Sequence, residues 1–204
     1  MRKIISLLLV LLVLPLASFA QSLDGLDFIS PFHDGVAAIK KGETWSFISE
    51  QGELLFDFRK DLVVADIKGK KYPVFNSNRC LISKKEEGIT YFGYIDKKGK
   101  AVLESQFLNA TAFNNGKATV VKLYKNVLGR NDVLDKQMIE YNYMEVAIDT
   151  NGEIVHYFDE KPTHVTLEKN FLKKPPKIKS KFISDNLVAT QNEDKTWTIK
   201  KYKL

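Results

Sequence analysis

Apolar residues alternate with polar ones along most of the chain, and the alternation is broken at regular points by Gly or Asn. Three segments align without gaps: Phe32-His33-Asp34-Gly35-Val36-Ala37-Ala38-Ile39, Phe75-Asn76-Ser77-Asn78-Arg79-Cys80-Leu81-Ile82 and Phe113-Asn114-Asn115-Gly116-Lys117-Ala118-Thr119-Val120. An aromatic leads each segment and is expected to anchor it in the core. Three residues later stands Gly35, Asn78 or Gly116, residue types that tolerate positive φ, so a turn is predicted there. The strand that follows carries Ala37, Cys80 or Ala118 in one column and Ile39, Ile82 or Val120 two residues on, the spacing that puts both on one face.

A second half-repeat aligns on its glycine. Its copies are Trp45-Ser46-Phe47-Ile48-Ser49-Glu50-Gln51-Gly52, Phe92-Gly93-Tyr94-Ile95-Asp96-Lys97-Lys98-Gly99 and Glu145-Val146-Ala147-Ile148-Asp149-Thr150-Asn151-Gly152. Isoleucine stands four before the glycine each time. Ser or Asp stands three before it, where its side chain can cap a type I turn that the glycine closes in the left-handed region. Leu54-Leu55, Ala101-Val102 and Ile154-Val155 open the return strand. Aromatics alternate with the isoleucine column in the first two copies, so both faces are apolar and repeats stacked on one another are predicted.

The leading aromatics lie 43 and then 38 residues apart, with 69 to Phe182, which heads a partial fourth copy. Its Asp185-Asn186-Leu187-Val188-Ala189 echoes Asp34-Gly35-Val36-Ala37-Ala38, and Trp197-Thr198-Ile199 is its expected returning strand, placed to cap the open end. The fold class is therefore all-β: antiparallel β-hairpin repeats stacked as an open, twisted structure, with repeats at about 32–56, 75–103, 113–155 and, in part, 182–204. A small irregular β-propeller is the alternative, since periods near 40 also suit four-stranded blades; the long third interval argues against its regular closure.

The pattern Phe-x-x-Gly-x-Ala followed by aromatic-Gly-aromatic-Ile-Asp-x-x-Gly resembles the WG-repeat (KWG-repeat) proteins, over about residues 32–155. Residues 92–99 match it best. The Trp-Gly dipeptide appears as Trp45-Ser46, Phe92-Gly93 and Glu145-Val146. The resemblance implies β-hairpin repeats, often in exported or surface proteins, with no shared catalytic residues.

Residues 1–20 read as a signal peptide. Arg2 and Lys3 precede an apolar run, and Ser18-Phe19-Ala20 offers small residues for cleavage after Ala20. The run is shorter than the ~18 residues of a membrane span, so residues 21–204 are expected as one extracytoplasmic β-repeat domain, periplasmic or secreted, with no membrane span after cleavage. Cleavage removes Arg2 and Lys3 and no acid, lowering the net charge from +6 to +4. That mild balance, without nucleic-acid motifs, leads to no expectation of a nucleic-acid partner. The single cysteine forbids an internal disulfide. Cys80 stands where the other copies carry alanine, a small buried strand position, so an inert core thiol is expected.

Departures from the repeat are the candidate functional places. In the third copy the strands run on as Lys122-Leu123-Tyr124 and return through Ile139-Glu140-Tyr141-Asn142-Tyr143, with residues 125–137 as a protruding tip. Tyr124, Tyr141 and Tyr143 are candidate ligand contacts; the plainer reading packs them on a neighbouring repeat. Residues 156–181 form a Lys/Pro loop, in which Lys173, Lys174, Lys177, Lys179 and Lys181 are candidate anion contacts; a solvated loop stiffened by prolines is the plainer alternative. No catalytic residue, metal ligand or cofactor motif is identified: HExxH, Gly-x-Ser-x-Gly and phosphate-cradling glycine loops are absent. The expected function is non-catalytic presentation of a surface to a protein, peptide or glycan. The alternative is an exported hydrolase or transferase with a degenerate site, for which His156, His164 and Asp159 are the candidate cluster.

Overall fold

The computed structural model describes residues 23–131, 135–165 and 172–201; the expected signal peptide lies outside them. Sixteen strands and no α-helix make up the described residues. The first sheet holds β1 (Phe28–Ile29), β2 (Val36–Lys41) and β3 (Thr44–Ser49). A two-stranded ribbon, β4 (Ala65–Ile67) and β5 (Lys70–Tyr72), follows. The large, strongly curled sheet runs in chain order through β6 (Phe75–Asn76), β7 (Arg79–Glu86), β8 (Ile89–Ile95), β9 (Ala101–Ala110), β10 (Lys117–Asn131), β11 (Lys136–Asp149) and β12 (Ile154–Tyr157), with β13 (Thr163–Val165) also on β11. A last sheet holds β14 (Ser180–Ser184), β15 (Leu187–Gln191) and β16 (Trp197–Lys201). All pairings are antiparallel, and the path is open rather than closed into blades.

The repeat unit is a hairpin whose third strand crosses to the next unit. β9 pairs with β8 through Phe92↔Phe107 and then with β10 through Lys122↔Phe107 and Val120↔Ala110. In the first unit, residues 54–59 bridge to β3, while Val63 N–H donates to the Leu81 carbonyl of β7. The β4–β5 ribbon is inserted there, between the residues that pair with Leu81 and those that pair with Cys80. The tight turns follow from side-chain chemistry. Asp34-Gly35, Ser77-Asn78 and Asn115-Gly116 all take positive φ at both positions, the geometry of a type I′ turn. Asp96 and Asp149 carboxylates each accept two backbone N–H bonds within their Gly-closed turns.

Each interface between units has a front half and a back half. Trp45, Phe47, Val36 and Ala38 of the first unit meet Phe75, Cys80, Ile82 and Ile95 of the second. Tyr94, Leu103 and Phe107 then meet Phe113, Ala118, Val120 and Ile148. Phe75 and Phe113 are buried as the leading aromatics were expected to be, but Phe32 is 50% exposed. Among the described residues no ring stands on Phe32 as Phe47 stands on Phe75 and Tyr94 on Phe113.

Gly93 marks where the third strand passes closest. A Cβ built on it would lie 2.5 Å from the Leu103 carbonyl oxygen, closer than any side chain permits. In the same column stands Ser46, whose hydroxyl donates to the Phe56 carbonyl at 2.5 Å.

Candidate functional site

The third unit is where the pattern is modified. β10 and β11 span 15 and 14 residues, against 6 each in β2 and β3. Their register pairs Leu123 with Tyr143, Lys125 with Tyr141 and Tyr124 with Asn142. Directly paired residues share a face, so Tyr141 and Tyr143 lie on one face and Tyr124 on the other. Tyr141 and Tyr143 pack against a cluster containing Ile89, Leu108, Val121, Val165 and Leu172. The Tyr124 hydroxyl is enclosed, with Tyr157 beside it. Burial raises its pKa, with a smaller contribution from Tyr157, and the Lys122 ammonium lies 5.6 Å from its ring. Toward the tip, Val127, Leu128 and Met138 are exposed.

In the first two interfaces a following unit covers the front face. Here residues 172–180 lie across it as a strap. Leu172 is buried and Ile178 partly so in the cluster that holds the two tyrosines, and Asn109 donates through Nδ2 to the Pro176 carbonyl at 2.7 Å. Two apolar residues thus pin a segment that is otherwise basic. The five lysines are exposed and take different neighbours. The Lys173 stem lies over the Gly88 turn, Lys174 borders the cleft described next, and Lys181 places its ammonium 4.7 Å from the Trp197 ring centre.

Between strap and hairpin lies an open cleft of about 350 Å³, lined by Tyr143, Thr163, His164, Val165, Leu172, Lys174 and Pro176. It brings one member of the tyrosine set and one of the lysine set into a single place, joined by a histidine neither set contained. His164 is anchored by Glu140 Oε1 at 3.0 Å and Asn142 Oδ1 at 3.2 Å from its Nδ1. The floor is apolar and aromatic, and Lys174 supplies a cation.

The third interface is joined by a different device. Glu145 occupies the column of Trp45 and Phe92, and it is buried. Its carboxylate accepts the backbone N–H groups of Lys179 at 2.9 Å and Ser180 at 2.6 Å, while its own N–H donates to Asp159 Oδ2 at 2.6 Å. Burial holds its pKa up, with a lesser push from Asp159, although the two N–H bonds oppose the shift. The columns of Phe47 and Ile95 here contain Ala147 and Lys200, and the interface is left underfilled. A groove of about 200 Å³ remains, lined by His156, Phe158, Val188, Thr190, Thr198 and Lys200 among others. Burial lowers the His156 pKa.

His156, His164 and Asp159 therefore take separate partners: the groove and the Phe158 ring, the Glu140 carboxylate, and the Glu145 N–H. Among the described residues no group of three His, Cys, Asp or Glu side chains is placed to hold a metal ion. No helix among them is long and apolar enough to cross a membrane.

Sequence reasoning missed the β4–β5 ribbon, whose signal was Lys68-Gly69 between two short strands. It also missed the Glu145 clamp, visible in sequence only as an acid in an aromatic column. A third omission is Lys97, whose ammonium donates to the Asp34 carbonyl and ties the first turn to the second unit.

A family model described as WG containing repeat matches residues 26–45 and 92–125. No curated protein and no solved structure matches the chain. The matched residues cover β1, β2 and the start of β3, then the end of β8 with Gly93, all of β9 and the first part of β10. The chain carries WG-containing repeats over these two stretches.

Proposed function

We propose that this WG-repeat protein is exported and acts without catalysis, presenting the cleft beside its long hairpin to an extended protein, peptide or glycan segment. The observation that carries this reading is the joining of Tyr143, Leu172 and Pro176 with Lys174 and His164 around one open cleft of about 350 Å³. Aromatic and proline surface favours burial of an extended chain or a sugar face, and the cation selects a segment with an acidic group. Export is supported by the basic start, apolar run and small-residue cleavage pattern of residues 1–20. The family resemblance adds a repeat scaffold that works by contact.

The test is affinity capture from the native cell envelope with the mature chain and with a Tyr143→Ala/Lys174→Glu variant. Both positions are at least partly exposed, so the variant is expected to fold, which circular dichroism checks. A partner retained by the wild type and lost by the folded variant supports the cleft. Equal retention by both rejects it.

A further inference from the structure

The two ends of the stack expose columns that are buried against each other inside it. Inside the molecule, the front ring of one unit meets the leading phenylalanine of the next: Phe47 and Phe75 at 4.7 Å between centroids, then Tyr94 and Phe113 at 4.7 Å. At the head, the leading phenylalanine Phe32 is 50% exposed, and Ile29 beside it 58%. Ile48 is half-buried where its counterparts Ile95 and Ile148 are fully buried.

At the tail, the pairings Ala38↔Phe47 and Ala189↔Ile199 put Ile199 in the column of Phe47 and Tyr94. Trp197 falls in the column of Trp45. Ile199 is 60% exposed and Trp197 49%, whereas Phe47, Tyr94 and Trp45 are all buried. The Trp197 strand was expected to cap the stack, yet its apolar side chains face outward. β16 pairs with β15 alone among the described residues, while β3, β8 and β11 each carry a third strand. Among the described residues, no leading phenylalanine and no third strand lies on the tail.

The head offers both. Residues 23–27 run directly into β1, which ends three residues ahead of Phe32, as β9 ends three residues ahead of Phe113. The charges also match: Asp24 and Asp27 lie in the head segment, and Lys200 and Lys201 on the tail strand.

We propose that a second copy of this chain docks head to tail, with its Phe32 against Ile199 and its residues 23–27 along the open edge of β16. This continues the internal interface in trans, by strand addition at a free edge. A contact between two different faces propagates into a ring or an open filament. The inference uses other residues than the cleft, so either can fail without the other.

The test is sedimentation velocity and light scattering on the purified protein, in a concentration series reaching about 1 mM. Wild type is expected to show an apparent mass rising at least about twofold across the series, and Phe32→Glu and Ile199→Glu should each stay monomeric alone. Each variant keeps one intact face, so an equimolar mixture should form a dimer and stop there. The milder pair Phe32→Ser and Ile199→Ser should repeat the pattern, with circular dichroism confirming folding. A wild type that stays monomeric, variants that assemble like wild type, or a mixture that fails to dimerise overturns the proposal.

Discussion

The ring of Phe75 stands on that of Phe47 at 4.7 Å between centroids and 73° between planes, edge to face. The two residues belong to successive units, so this contact is where one repeat is fastened to the next. Phe75 is fully buried by it, while Phe32, in the same column one unit earlier, is half exposed. Phe75→Ala is therefore expected to cost about 3–5 kcal/mol, the range for truncating a buried phenylalanine. Phe32→Ala should cost under about 1 kcal/mol. Urea unfolding of the two variants against wild type measures the difference.

Gly93 supports a second prediction. The Cβ of Gly93→Ala would meet the backbone of Leu103, Glu104 and Ser105 at 2.5–2.8 Å, and backbone cannot move aside as a flexible side chain can. The expected loss is at least about 2 kcal/mol, the scale of overpacking in a closed site. Ser46→Ala, in the same column, removes a hydroxyl and keeps the Cβ already there, so it should cost only about 1 kcal/mol, for one hydrogen bond. Thermal unfolding monitored by circular dichroism ranks them.

The Cys80 thiol is fully buried, and burial pushes its pKa up to about 12. Thiolate is the reactive form, so a thiol reagent at pH 8 should leave the native protein unmodified and label one site per chain after denaturation. Rapid native labelling, read by intact mass, would contradict the packing of the first interface.

Glu145 gives a pH-dependent expectation. Its folded pKa is raised by burial, so the folded state holds the proton more tightly than the unfolded chain. Its contribution to stability is complete below the unfolded value near 4.5 and is lost as pH rises through the raised folded value. Glu145→Gln keeps an acceptor oxygen for the strap and removes the titration, so the variant should gain on wild type as pH rises through that window. Glu145→Ala leaves the N–H groups of Lys179 and Ser180 without their acceptor and should cost about 1–3 kcal/mol at every pH. Unfolding curves from pH 4 to pH 8 separate the two.

Much of the fold was legible because it repeats. Gly52, Gly99 and Gly152 mark turns by backbone chemistry that tertiary context does not override, and the alanine column placed Cys80 in the core. Burial at the array's ends was not legible. Phe32 and Phe75 read alike, and only the presence of a preceding unit separates them. The site was half legible: Tyr143 and Lys174 were both singled out, but their meeting depends on where Leu172 and Ile178 pin the strap. Tyr124 was grouped with Tyr143 by sequence spacing, and the β10–β11 register sets the two on opposite faces.

Units are fastened front ring to leading phenylalanine, and a double-mutant cycle on Phe47→Leu and Phe75→Leu tests that most directly. Stability measured by urea unfolding for wild type, both single variants and the double should give a coupling of about 0.5–1.5 kcal/mol, the range for an edge-to-face aromatic pair. Effects that add to within about 0.3 kcal/mol would mean that the rings do not hold the units together.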